Sequence, residues 1–277
     1  MSKIVFRFDI DTHKCIRNGV PNLLNISKKY NVDFTFFLNT GRAIDICDSL
    51  KQNKSKKDAE DCMLSAKEKF GLLDYIECAI FNPDILNYKE SVKRLLESSC
   101  EVGLHGGSNH ALWHRNAKKW SKEKLAKEIL QAISKIKKID SSYNLSGFAS
   151  PGWNRPSLLP DLLQEYNFLY YGDWYSYGEK NIINKDTNPT LVGVNLLSKN
   201  GGIAYFENCI ALGMNSEEIL LDFIKFVETH PITIIYDHPY FAGCSLEIQK
   251  IIEECIVYSK KHNHEILTIG KLLEKYI

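Results

Sequence analysis

The sequence predicts an α/β fold built on a parallel sheet or barrel, and three observations carry that expectation. Short β-branched and aromatic runs alternate with helical apolar patterns along most of the chain. The chain has 277 residues, 44% of them hydrophobic and 25% charged, enough to bury one sizeable core. Chemically capable residues fall just past the C-terminal ends of separate strands, the rim on which α/β barrels build active sites.

The elements follow in order. Lys3 to Phe8 reads as a strand, and Pro21 to Tyr30 as a helix with proline suited to its first turn. Phe34 to Leu38 is a strand, Asp84 to Ser98 a helix, and Glu101 to Leu104 a short strand. Ser121 to Lys138 spaces Leu125, Ile129, Ile133 and Ile136 along one helical face. Gly147 to Ala149 is a candidate strand, followed by a helix at Ser157 to Tyr166 and a strand at Phe168 to Tyr171. The last elements are a helix at Ser216 to His230, a strand at Ile232 to Tyr236, a helix at Leu246 to Lys261 and a short strand near Ile266. Two connections are long: Gly41 to Pro83, which is partly helical, and Gly172 to Asn208, which reads as irregular. No internal repeat and no linker is visible, so a single domain over 1–277 is expected, with an insertion at about 42–83.

Composition excludes several classes. With 35 basic and 34 acidic residues the formal net charge is +1, which gives no footing for nucleic-acid binding. Cysteines stand at 15, 47, 62, 78, 100, 209, 244 and 255, and none form a C-x-x-C pair, so neither a structural zinc site nor a redox dithiol is expected. Met1 to Asp11 carries Arg7, Asp9 and Asp11 inside its apolar run, unlike a signal peptide, and no 18-residue apolar stretch exists. The expectation is a cytoplasmic protein with reduced cysteines.

Three segments could carry chemistry. If strand geometry persists through Asp9-Ile10-Asp11, the two carboxylates point the same way and repel unless a cation sits between them; an exposed acidic turn is the alternative. His105 and His110 lie in the glycine-bearing stretch Leu104-His105-Gly106-Gly107-Ser108-Asn109-His110. Two imidazoles and a carboxylate make an open facial set for a metal, while a phosphate- or sugar-binding loop is the other reading. His238 ends a strand, and its ordinary pKa suits proton donation to a leaving amine; a capping or core histidine is the alternative. Asp237 beside it should face the other way. Trp113, Trp153 and Trp174 lie near these loops and could stack on a sugar ring, whereas Tyr166, Tyr170 and Tyr171 read as packing residues and Trp120 as structural.

Several stretches together resemble the NodB-type polysaccharide deacetylases, carbohydrate esterase family 4. They are Phe8-Asp9-Ile10-Asp11-Thr12, Asn18-Gly19-Val20-Pro21-Asn22-Leu23-Leu24, Glu101-Val102-Gly103-Leu104-His105, the Gly152-Trp153 step and His238 to Gly243-Cys244. The likeness covers nearly the whole chain and is nearest to the deformylases acting on lipid-linked 4-formamido-arabinose. It implies a distorted (β/α) barrel of seven strands. It implies Asp9 as general base, Asp11 and His105 as metal ligands, His238 as general acid, Asp173 as the aspartate orienting catalytic groups, and Trp174 shaping the pocket. The family's second histidine falls on Asn109 here, with His110 next, so either His110 completes the metal site or Asn109 offers a weaker oxygen. The usual third-motif arginine is missing from Phe148-Ala149-Ser150-Pro151-Gly152-Trp153, leaving Arg155 as a candidate substitute. The implied cofactor is a divalent ion, zinc first, with cobalt, nickel, manganese or iron as alternatives. The implied substrate is an N-acylated amino sugar, lipid-linked or otherwise an intermediate of glycan biosynthesis, with Trp153, Trp174 and Asn109 as contacts. Two other readings stay open: a non-catalytic sugar-binding barrel, and an amidohydrolase, against which Asp9-x-Asp11 speaks. Finally, Lys51 to Lys57 and the apolar stretch from Phe70 to Ile76 are either a solvated loop or a foot on anionic lipid at the inner face of a membrane.

Overall fold

The computed structural model describes residues 1–43, 72–81 and 84–275. The Lys51–Lys57 run and most of the expected insertion lie outside the described residues. The strands are β1 (Lys3–Ile10), β2 (Thr35–Leu38), β3 (Glu101–His105), β4 (Gly147–Ala149), β5 (Tyr170–Tyr175), β6 (Ile183–Asn184), β7 (Thr190–Val194), β8 (Ile232–Asp237) and β9 (Glu265–Ile266). They form one sheet in the order β6-β7-β5-β4-β3-β2-β1-β8, with β9 pairing β1. From β7 to β8 the seven main strands run parallel, and only β6 is antiparallel to its neighbour. The expected seven-stranded distorted barrel is therefore present.

β1 explains how the site is aimed. Its period of two sends Ile4, Phe6, Phe8 and Ile10 outward into the layer beneath the helices. Val5 points the other way, into an inner cluster with Phe37, Ala149, Tyr170, Ile234 and Tyr236. Arg7 and Asp9 share the side of Val5, so a buried strand delivers two charged groups to the barrel interior, each 2% exposed.

The barrel closes across β7 and β8 by a side chain in place of a full ladder. Asn195, fully buried, accepts a hydrogen bond from Ile234 N–H (2.9 Å) and donates to the Ile232 carbonyl (2.9 Å) and the Glu179 carbonyl (2.8 Å). Leu196 and Ala204 then bridge Ile235 and Tyr236. Asn195→Ala strands an amide and a carbonyl in the interior, and a loss of about 2–4 kcal/mol is expected in denaturant melts. A loss below about 1 kcal/mol would mean that the seam does not depend on this carboxamide.

Most expected helices are present: Val20–Tyr30, Lys122–Lys137, Leu159–Glu165, Ser216–Thr229 and Leu246–Lys261. The expected helix from Asp84 is a 3-10 turn, Ile85–Tyr88, running into an α-helix, Lys89–Leu96. The stretch read as irregular holds β6, β7 and the helix Tyr205–Ala211. Among the described residues no helix is long and apolar enough to cross a membrane.

Candidate active site

The mouth of the barrel gathers one carboxylate and three imidazoles. Asp11 Oδ1 lies 3.1 Å from His105 Nε2 and 3.3 Å from His110 Nε2, and Asp11 Oδ2 lies 3.3 Å from His238 Nε2. Asp11 follows β1, His105 ends β3, and His238 follows β8. His110 opens the helix His110–Asn116. Asn109 is that helix's N-cap: its side-chain oxygen accepts from Leu112 N–H at 3.1 Å. The carboxamide is thus engaged with backbone, and the next residue turns its ring toward Asp11. The turn between the two histidines starts at Gly106, whose φ of 71° is left-handed and whose missing Cβ would stand 2.6 Å from Pro151 Cδ.

These groups fit a cation. His105 Nδ1 lies 3.2 Å from the Ala149 carbonyl, which can only accept, so that nitrogen carries a proton and Nε2, on the Asp11 side, is the one that has a lone pair when the ring is neutral. Asp11 Oδ1 and His110 Nε2 are buried without a hydrogen-bond partner. Buried polar atoms are rarely left so, and two lone-pair donors facing a carboxylate are satisfied by a shared divalent ion. The candidate ligand atoms of Asp11, His105 and His110 lie within 4.8 Å of one another. Burial alone would raise the Asp11 pKa, but His110 and His238 outweigh it and hold it well below the usual carboxylate value. Burial likewise opposes the charged form of His105, yet Asp9 and Asp11 raise it above an ordinary histidine.

Asp9 sits one layer deeper. Arg7 holds it through two parallel hydrogen bonds, Nε to Oδ1 at 2.9 Å and Nη2 to Oδ2 at 2.8 Å, and spends Nη1 on the Gly172 carbonyl at 2.5 Å. The guanidinium carbon lies over Phe37 and Trp153, 4.7 Å from each centroid, and 5.2 Å from that of Tyr236. Gly172 leaves room for it, since a Cβ there would stand 2.7 Å from Nη1. Arg7 thus sets a guanidinium on Asp9 from two residues earlier on the same strand, where Phe148 to Trp153 offers no arginine. Arg155 lies elsewhere, 5.7 Å above the Tyr171 ring. Each Asp9 oxygen keeps a further lone pair, and Oδ2 is 3.7 Å from His105 Nδ1.

His238 is held on both nitrogens. Nδ1 is 2.8 Å from Glu207 Oε1, Nε2 is 2.8 Å from Tyr236 Oη, and the ring stacks on Tyr240 with centroids 4.8 Å apart. Burial would lower its pKa, but Glu207 and then Asp11 hold it well above the usual value. Asp237 accepts from the backbone N–H of His238 at 2.7 Å. Asp173 accepts from Ser150 N–H and Oγ, both at 2.6 Å, so its hydrogen bonds fix the Ser150–Trp153 turn and not His238. Burial, the dominant influence, raises the Asp173 pKa. Of the expected substrate contacts, Trp153 lies beside these groups, over Arg7 and edge-on to Tyr236. Trp174 packs against both apolar cores.

The sequence pointed to Asp9, Asp11, His105, His110 and His238, and the structure brings the last four to one mouth with Asp9 beneath them, 3.7 Å from His105. It did not single out Arg7 or Glu207 as site residues. The alternation of Arg7 with Asp9 along one strand face was a usable signal; Glu207 sits in the stretch read as irregular and carried none.

The helix Leu72–Ile80 packs beside this mouth. Its Asp74 meets Lys14 and Arg17 at 3.4 Å each, and Glu77 Oε2 lies 3.2 Å from His13 Nε2. A small cavity next to Asp11 is shared with Asn39, Cys78, Ile85 and Tyr88. Away from the body the helix exposes Leu73 (83%), Ile80 (63%) and the adjoining Phe81 (76%).

A family model described as polysaccharide deacetylase matches residues 2–171. A Shewanella sediminis protein assigned as a 4-deoxy-4-formamido-L-arabinose-phosphoundecaprenol deformylase is 23% identical over 290 residues, covering 99% of this chain and 87% of its own. Among solved structures, a Mycobacterium smegmatis protein assigned to the polysaccharide deacetylases superposes with a TM-score of 0.64 at 14% identity, over 99% of this chain and 89% of that one. A CE4-family pseudoenzyme from Bacillus anthracis superposes with a TM-score of 0.57 at 12% identity, over 98% of this chain and 65% of that one. At these identities the structural likenesses speak for the fold.

Proposed function

The chain belongs to the polysaccharide deacetylase family, hydrolases that act on amide bonds, and on that premise we propose that it removes a formyl or acetyl group from an amino sugar with the help of a divalent cation. The observation that carries this reading is the mouth itself: Asp11, His105 and His110 face one point, with buried lone pairs unmet there, between a carboxylate and a third imidazole. A divalent ion held by those three residues, zinc by donor chemistry, would polarise the acyl oxygen and lower the pKa of water.

The chain's own residues supply the proton transfers. Asp9, braced by Arg7, accepts a proton from the attacking water. His238 donates from Nε2 to the departing nitrogen. Trp153, held over Arg7, offers an aromatic wall for the sugar. The formamido-sugar relative favours formyl over acetyl and supports a lipid-linked substrate. The exposed Leu73, Ile80 and Phe81 support a seat on an apolar carrier or membrane surface; together with the cytoplasmic reading of the sequence, that seat would be the inner face of a membrane. Loss of binding to anionic vesicles on replacing Leu73 and Phe81 with serine is expected in flotation assays; equal binding by the variant would remove this part of the reading.

The test is direct. Protein stripped by chelation and reloaded with zinc, cobalt, nickel, manganese or iron should release amine from an N-formyl or N-acetyl amino sugar, and chelated protein should not. No release with any bound ion would favour a non-catalytic barrel, the reading that the pseudoenzyme neighbour keeps in play. Cation binding should also expel protons near neutral pH, because the raised His105 must be neutral to serve as a ligand. Calorimetry in two buffers of different ionisation enthalpy reads this; equal heats in both would contradict it.

A further inference from the structure

We propose that Glu207 is the positioning residue of the proton donor: it fixes Nδ1 of His238 as the protonated nitrogen that stays with the protein, so that Nε2 faces the substrate. This rests on the deacylase reading above and moves to Glu207 a part that the family resemblance gives to Asp173.

Four observations carry it. Glu207 is fully buried, and its Oε1 is 2.8 Å from His238 Nδ1. A carboxylate only accepts, so Nδ1 must donate, and Nε2 is left toward Tyr236 Oη and Asp11. The carboxylate's place is built: Asp237, also fully buried, accepts from the N–H groups of His238 (2.7 Å), Phe206 (2.7 Å) and Glu207 (3.1 Å). That fastens the first turn of the helix Tyr205–Ala211 to the end of β8, with Ala204 bridging Tyr236. Meanwhile both oxygens of Asp173 are engaged by Ser150. Burying a carboxylate is costly unless it meets a cation or donors, and an imidazole that gains charge during turnover is such a partner.

The role is orienting. The water oxygen bonds to the acyl carbon as a proton passes to Asp9. The C–N bond breaks as the Nε2 proton passes to nitrogen. Amide and water become carboxylic acid and amine, and transfer from Asp9 to His238 through solvent restores both groups. Glu207 takes no proton; its charge stabilises the imidazolium before donation, and its geometry sets the tautomer after it.

A substrate that needs no proton donor separates this from a structural role. Glu207→Gln keeps the shape and removes the charge. On the N-acyl amino sugar, kcat is expected to fall by about 10²-fold or more with KM changed less than about threefold. On 4-nitrophenyl acetate, whose phenolate leaves unprotonated, the loss should be at least about tenfold smaller. Glu207→Asp should recover part of the amide activity. Equal losses on both substrates in a folded variant, or no loss on the amide, would overturn the proposal. Nitrogen-15 spectra of histidine-labelled native protein provide a reading that needs no variant: Nδ1 of His238 must be the protonated nitrogen of the neutral ring, and an Nε2–H tautomer would also overturn it. If native protein releases no amine, the deacylase reading falls, while the tautomer still decides the placement of Glu207.

Discussion

Asp9→Asn is expected to lower turnover by about 10³-fold or more while cation binding persists. Asparagine keeps the size of the side chain and can still accept one hydrogen bond from Arg7, but it cannot take a proton from water. The proposed cation ligands, Asp11, His105 and His110, are untouched. The variant should also be less stable, because the buried guanidinium loses its countercharge. Initial rates on the N-acyl substrate, with metal content measured on the same sample and folding checked by circular dichroism, decide the matter. Turnover near the native rate would remove Asp9 as the base.

Arg7→Met should cost about 3–5 kcal/mol of stability, since it strands a carboxylate that is 2% exposed. It should also lower kcat, because Asp9 loses both of its braces and Trp153 loses the cation beneath it. Combining Arg7→Met with Asp9→Asn should be milder than the sum of the two by at least about 2 kcal/mol, because each single change breaks the same pair. Lysine is not expected to rescue: one ammonium cannot reproduce the two parallel hydrogen bonds to Asp9 and the third to Gly172. Additive losses in denaturant melts would show that the two residues stabilise the barrel independently.

Much of this was legible in the sequence where function and strand geometry coincide. Asp9 and Asp11 stand two apart at the end of an apolar strand, and His105 and His238 each mark a strand end, so periodicity and position pointed the same way. Parallel strands buried on both faces read as plain apolar runs, which is why β1, β2 and β8 were visible. β7 was not: Thr190 to Val194 is five residues with a glycine inside, enclosed by the Asn- and Gly-rich stretch that also hides Asn195 and Glu207. Those two act across the chain, on β8 and on His238, and nothing local announces a partner 30 or more residues away. Arg7 was read only as a charge that spoils a signal peptide; its pairing with Asp9 needed the strand's alternation taken one step further. The different surroundings of Asn109 and His110 needed the helix start, because an N-cap spends its side chain on the backbone while the next residue faces Asp11.

Crystals grown with zinc and measured at its absorption edge test the central claim most directly. One anomalous peak is expected at the barrel mouth, about 2.0–2.2 Å from an Asp11 oxygen and from Nε2 of both His105 and His110. A peak bound elsewhere, or none at this mouth with zinc in excess, would contradict the account.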